Sequence, residues 1–73
     1  MAEIKVKAEI TGRVWKIVAA PGINVAEDEP IIMIESMKME IPVVAPSAGV
    51  VKLLLVNEGD DVAEGQDVAV MET

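Results

Sequence analysis

Val25-Ala26-Glu27, inside the stretch Gly22 to Glu35, returns as Val62-Ala63-Glu64 inside the stretch Gly59 to Glu72, an offset of 37 residues. Extended outward without a gap, residues 8–36 lie over residues 45–73, with Ala8 on Ala45, Gly12 on Gly49 and Val14 on Val51. Positions that are not identical keep their apolar character, as where Ile17-Val18 becomes Leu54-Leu55 and Ile31–Ile34 becomes Val68–Met71. Self-similarity at a fixed offset reads as one supersecondary unit used twice. The joining segment, 37–44, has no counterpart in this alignment and is expected to be a unique hairpin. Subtracting the offset from Lys38 gives Met1, so a first copy would lack this hairpin because the chain begins there.

Each copy reads as strands. Ile4, Val6, Ala8 and Ile10 alternate with polar residues, the period of a half-buried strand over 4–10. Gly12 punctuates, and Arg13 to Val18 forms a second strand with Val14, Ile17 and Val18 expected in the core. Pro21-Gly22 is a turn signal. A short extended piece at Ile23–Val25, the acidic turn at Glu27-Asp28-Glu29, a strand at Ile31–Ile34 and its return at Ile41–Val44 follow. The second copy repeats the order with strands at Val50–Val56, near Val62 and at Asp67–Met71. No segment sustains helical apolar spacing between caps. The expectation is an all-β single domain over 1–73. Two four-stranded sheets would close as a flattened β-barrel or two-sheet sandwich with a pseudo-twofold axis. Pro42 cannot donate to a ladder and so predicts an edge position or bulge.

Composition narrows the function. Of 73 residues 52% are apolar, yet there is one Trp and no Phe or Tyr, so Val, Ile, Leu, Ala and Met must fill the core. A formal net charge of −7 makes nucleic acid and anionic membrane poor partners, since both need a basic footprint. No stretch is long and apolar enough to span a bilayer and no signal pattern opens the chain, so a cytoplasmic setting is expected. Cys and His are absent. With only Ser36, Ser47, Thr11 and Thr73 as hydroxyls, no nucleophile has a base and an orienting group, and independent catalysis is not expected. The Glu27-Asp28-Glu29 cluster lacks EF-hand spacing and loses charge in its repeat, Glu64-Gly65-Gln66, which favours a solvated turn over a metal site. Trp15, with no second aromatic and no basic patch, is expected as a partly buried strand residue or small docking contact.

Met37-Lys38-Met39 is left as the place where function could reside. Two methionines flanking a turn are adaptable apolar groups where exposure is unfavourable unless something docks. Glu35 and Glu40 bracket the group, an acidic setting that does not suit a free-amine catalyst. A lysine that is itself modified satisfies both observations.

Glu35-Ser36-Met37-Lys38-Met39 resembles the Glu-Ala-Met-Lys-Met motif of biotinyl domains in biotin-dependent carboxylases and decarboxylases, and Ala45-Pro46-Ser47-Ala48-Gly49-Val50-Val51 resembles that family's continuation. The likeness spans residues 8 to 73 and is nearest to small stand-alone biotin/lipoyl attachment proteins of bacteria. It implies a barrel-sandwich hybrid and a biotin carboxyl carrier. A biotin protein ligase would join biotin covalently to Lys38, reading Glu35, Met37 and Met39. Biotin carboxylase and carboxyltransferase components would then be the partners of a monomeric domain. Val18-Ala19-Ala20-Pro21-Gly22 leaves no room for the thumb of some acetyl-CoA carboxylase carriers, and Ser36 stands where Ala is usual. A lipoyl carrier, with lipoate on Lys38, is the alternative within the fold. It typically has Asp-Lys-Ala at the turn, but Gly22, sixteen residues before the lysine, resembles a glycine of lipoyl domains. An unmodified interaction module of the same fold is the alternative outside it.

Overall fold

The computed structural model describes residues 2–73. Met1, on which the offset of Lys38 falls, lies outside the described residues. Eight strands run in order: β1 (Glu3–Lys7), β2 (Gly12–Ile17), β3 (Asn24–Val25), β4 (Pro30–Ser36), β5 (Met39–Val44), β6 (Gly49–Leu54), β7 (Asp61–Val62) and β8 (Asp67–Glu72). There is no helix among the described residues. The strands form two four-stranded antiparallel sheets, β1-β8-β6-β3 and β5-β4-β2-β7. The sheets stay separate, so the all-β expectation resolves to the two-sheet sandwich and not to a closed barrel.

Neither copy of the repeat builds a sheet alone. Each contributes its two long strands to one sheet and its short strand to the other, so that β3 joins β6 and β7 joins β2. Registers obey the offset throughout. Val14 faces Ile34 as Val51 faces Met71, and Asn24 faces Val50 as Asp61 faces Arg13. The turns obey it too. The Ala45 amide donates to Glu29 and the Asp28 amide to Ala45, as Ala8 donates to Gln66 and Gly65 to Ala8. The Ala26 amide donates to the Glu29 carboxylate at 2.6 Å, as Ala63 donates to the Gln66 side chain at 3.0 Å. This satisfies backbone groups that the crossing strands leave unpaired.

The correspondence also reaches beyond the sequence repeat. Ile4 faces Met71 in β1–β8 as Ile41 faces Ile34 in β4–β5, so β5 is the counterpart of β1. What lacks a partner is the turn alone. The ladder that this turn closes with Ser36 and Met39 is closed in the other sheet by Ala2 and Thr73, whose amides and carbonyls exchange hydrogen bonds of 3.0 and 2.9 Å.

The core lies between the sheets and is aliphatic: Val14, Ile31, Ile32, Ile34, Val51, Val68 and Met71 are fully buried, with Val6, Val25, Val43 and Val62 nearly so. No polar side chain is buried among the described residues. Two expectations need correction. The first strand ends at Lys7 and not at residue 10, because Ala8 leaves the ladder to bond the turn at Gly65 and Gln66. Val18, expected in the core, is 50% exposed. A β-bulge between Val14 and Lys16 inserts Trp15 and shifts the alternation, so that Ile17 is half-buried, Val18 faces out and Ala19 faces in. Pro42 lies on β5, an edge strand, where its missing donor leaves no gap in the sheet.

Candidate functional site

Met37 and Lys38 form the two-residue link between β4 and β5, with φ of 52° and 65°. Positive φ at both central positions is the type I′ geometry that matches the twist of a two-residue hairpin, and Asn-Gly is the pair it ordinarily selects. Holding two residues with Cβ atoms there costs on the order of 1–3 kcal/mol each. The ladder on either side, Ser36 to Met39, Glu35 to Glu40 and Ile34 to Ile41, supplies the restraint. Ile34 is fully buried and Val43 nearly so, which anchors the hairpin in the core below its tip.

The tip is in solvent. Met37 is 92% and Met39 62% exposed, and Lys38 is exposed and in no ion pair among the described residues. Glu35 and Glu40, directly opposite each other, are also exposed. The four residues singled out from sequence, Glu35, Met37, Lys38 and Met39, are thus brought together at one end of one hairpin. The arrangement presents a free primary amine on a short, positioned turn with two apolar side chains beside it. A group attached through Nζ would gain the reach of the lysine side chain while its base stays fixed.

Sequence reasoning missed the part that one neighbour of this site plays. Gly12 was read as punctuation, but it begins β2, and a Cβ there would stand 2.5 Å from the Glu35 carbonyl oxygen and 2.7 Å from Ile34 Cγ2. Gly49 meets the Glu72 carbonyl oxygen in the same way. These glycines let β2 and β6 approach the ladders that carry the two ends. Trp15, 43% exposed, lies on the β2 bulge beside the same ladder. The repeat alignment itself held the signal for Gly12, since it sets Gly12 on Gly49.

Elsewhere the surface offers less. A groove of about 500 Å³ lined by Lys5, Lys7, Val44, Pro46 and Gly65 among others shares no residue with the turn. Its two lysines both face Asp67, at 3.9 and 2.7 Å, and the Lys7 hydrogen bond holds the Asp67 carboxyl below the usual aspartate range. No cluster of three or more metal-ligating side chains occurs among the described residues.

Comparison with known proteins now fits this geometry. A family model described as "Biotin-requiring enzyme" matches residues 2–71, and the chain belongs to that biotin/lipoyl family. A biotinylated protein TB7.3 homolog of Mycobacterium leprae is 41% identical over 97% of this chain and 99% of its own length. The biotin/lipoyl attachment protein of Bacillus subtilis is 40% identical over 82% of each chain. Among solved structures, the urea carboxylase of Kluyveromyces lactis superposes with a TM-score of 0.92 at 40% identity, covering 99% of this chain and 6% of that one. The likeness to the long enzyme is therefore to one small part of it.

Proposed function

We propose that the protein is a biotin carboxyl carrier whose attachment point is Lys38. The observation that carries the reading is the exposed Lys38 on a positive-φ turn between two exposed methionines, in a chain of the biotin/lipoyl family. Condensation of the biotin carboxylate with Nζ of Lys38, driven by ATP in a biotin protein ligase, would form an amide and leave the hairpin otherwise unchanged. Glu35, Met37 and Met39 are exposed within three residues of Lys38 and are the residues a ligase would read. When attached, the ureido ring supplies a carrier for a carboxyl group. The chain's own part is mechanical: the rigid ladder fixes the base of the arm, and the side chain turns delivery to each site of the assembly into an intramolecular event with a raised effective concentration. Biotin carboxylase and carboxyltransferase components would be the partners, and a monomeric domain in the cytoplasm would suffice for the task.

Lipoate on Lys38 is the second reading, favoured by the name of the Bacillus subtilis relative, which covers both groups. Against it stands the methionine on either side of the lysine. Coexpression with a biotin protein ligase in the presence of biotin, followed by intact mass and peptide mapping, tests the two. A single biotin adduct on Lys38 that is absent from Lys38→Arg is expected. A folded, unmodified protein that accepts lipoate from a lipoyl ligase would replace the first reading with the second.

A further inference from the structure

Sulfur in this chain is confined to methionine, since cysteine is absent. Four of the five methionines lie among the described residues, and burial sorts them. Met71 is fully buried in the core and Met33 is half-buried on β4, whereas Met37 and Met39, on either side of Lys38, are the exposed pair. The fold does not ask for thioethers there. On the offset of 37 residues, Ser36 opposite Met39 corresponds to Thr73 opposite Ala2, and that pair closes the other sheet with an exposed alanine in the place of Met39. Along β5 the alternate residues Val43, Ile41 and Met39 pass from buried through half-buried to exposed, so Met39 lies past the end of the core.

We propose that Met37 and Met39 are sites of reversible oxidation to the sulfoxide by peroxides, and that this oxidation blocks docking of the enzyme that modifies Lys38. The thioether lone pair attacks a peroxide oxygen and the O–O bond breaks. Sulfur is oxidised by two electrons, and water leaves from hydrogen peroxide, or an alcohol from an alkyl hydroperoxide. Reduction takes two electrons from thiols through sulfoxide reductases, one enzyme for each epimer at sulfur. The change turns a flexible apolar side chain into a polar, chiral one. On an exposed turn this leaves the core untouched. In contact with a partner, the new oxygen must give up water, a loss recovered only where a donor meets it. Met71 is shielded while the chain is folded, so the switch acts on docking without melting the domain. That the docking concerns Lys38 rests on the function proposed above; the order of oxidation does not.

The unmodified full chain would be treated with hydrogen peroxide, freed of it with catalase, and mapped by intact mass and peptides before any ligase is added. Oxygen is expected on Met37 first and Met39 next, with Met33 behind, Met71 unreacted and Tm unchanged. Biotin incorporation by a biotin protein ligase should then slow about fivefold or more, and recover after incubation with both sulfoxide reductases and a thiol. The double variant Met37→Leu, Met39→Leu is compared only with itself and should incorporate biotin at one rate with and without peroxide. Equal oxidation of Met33 and Met37, an oxidised chain modified as fast as the untreated one, or a peroxide effect that persists in the leucine variant would overturn the proposal. An untreated, folded chain that takes no biotin would instead overturn the reading of Lys38, and with it the effect on docking, while the peptide map still decides where oxygen enters.

Discussion

A side chain at the tip of a hairpin can be removed without cost to the core, and Met37 and Met39 test whether these two are there for recognition. Their exposures of 92% and 62% leave little apolar burial to lose. Met37→Ala or Met39→Ala should lower the rate of Lys38 modification with stability changed by less than about 0.5 kcal/mol, the range of surface substitutions. Thermal melts beside a modification time course check this, and a large fall in Tm would mean that the side chains support the fold. The positive-φ positions make a second residue-scale prediction. Gly22 and Gly59 share φ near 90°, and Asp28 at 69° is the counterpart of Gly65 at 85°. No atom lies within 4 Å of a Cβ built on Gly22, so Gly22→Val should destabilise through backbone strain alone, by about 1–3 kcal/mol. Asp28→Gly should stabilise or be neutral, within about 1 kcal/mol, by relieving the same strain. Denaturant unfolding of the two variants should show a loss for Gly22→Val and none for Asp28→Gly. The sequence shows Gly22 and Gly59 as a repeated turn residue, whereas the backbone state of Asp28 is legible only through its repeat partner Gly65, because Asp itself tolerates αL.

At the scale of elements, most strands were legible because apolar alternation and paired turns recur at one offset. Boundaries failed where an irregularity intervened. The Trp15 bulge turns Val18 outward, and nothing in a run such as Val14 to Val18 marks which residue is the extra one. The edge position of Pro42 was legible, since a missing donor has one physical meaning in a sheet. The closeness of β2 to β4 was not, because a glycine chosen for approach looks in sequence like one chosen for a turn. Gly12→Ala separates those meanings. With backbone oxygen 2.5 Å from the new Cβ, β2 must move away from Glu35, and a loss of about 2–4 kcal/mol is expected. The displacement would also reach the ladder beneath Lys38, so modification should slow in step with the loss of stability. An Ala variant as stable as the parent in urea would show that the contact relaxes freely.

On the scale of the whole molecule, the two sheets are nearly interchangeable, and the turn at Met37-Lys38 is equivalent to the Ala2–Thr73 closure. The sequence carried this symmetry as a repeat over residues 8–36 and 45–73. It could not show that β1 matches β5, because Ile4-Lys5-Val6-Lys7 and Ile41-Pro42-Val43-Val44 share mainly their inward residues. If burial and register hold the fold, and the chain's route through the Lys38 turn does not, the connection can be moved. A circular permutant joining Thr73 to Ala2 through Asn-Gly, and opened between Met37 and Lys38, keeps every ladder and the whole core. The new link closes a hydrogen-bonded pair in the geometry that a two-residue turn favours. The opened turn meanwhile releases two residues from positive φ. Loop closure changes little between the two routes. The permutant should therefore unfold in a single transition within about 1 kcal/mol of the parent, or about 4–8 °C in Tm. Lys38 would then be a chain end, without the positioned turn on which the proposed modification depends, and biotin incorporation should fall to background. Circular dichroism and calorimetry read the first outcome, and intact mass after coexpression reads the second. A permutant that folds and is still modified at the parental rate would show that the ladder around Glu35 and Glu40, and not the turn, presents the lysine.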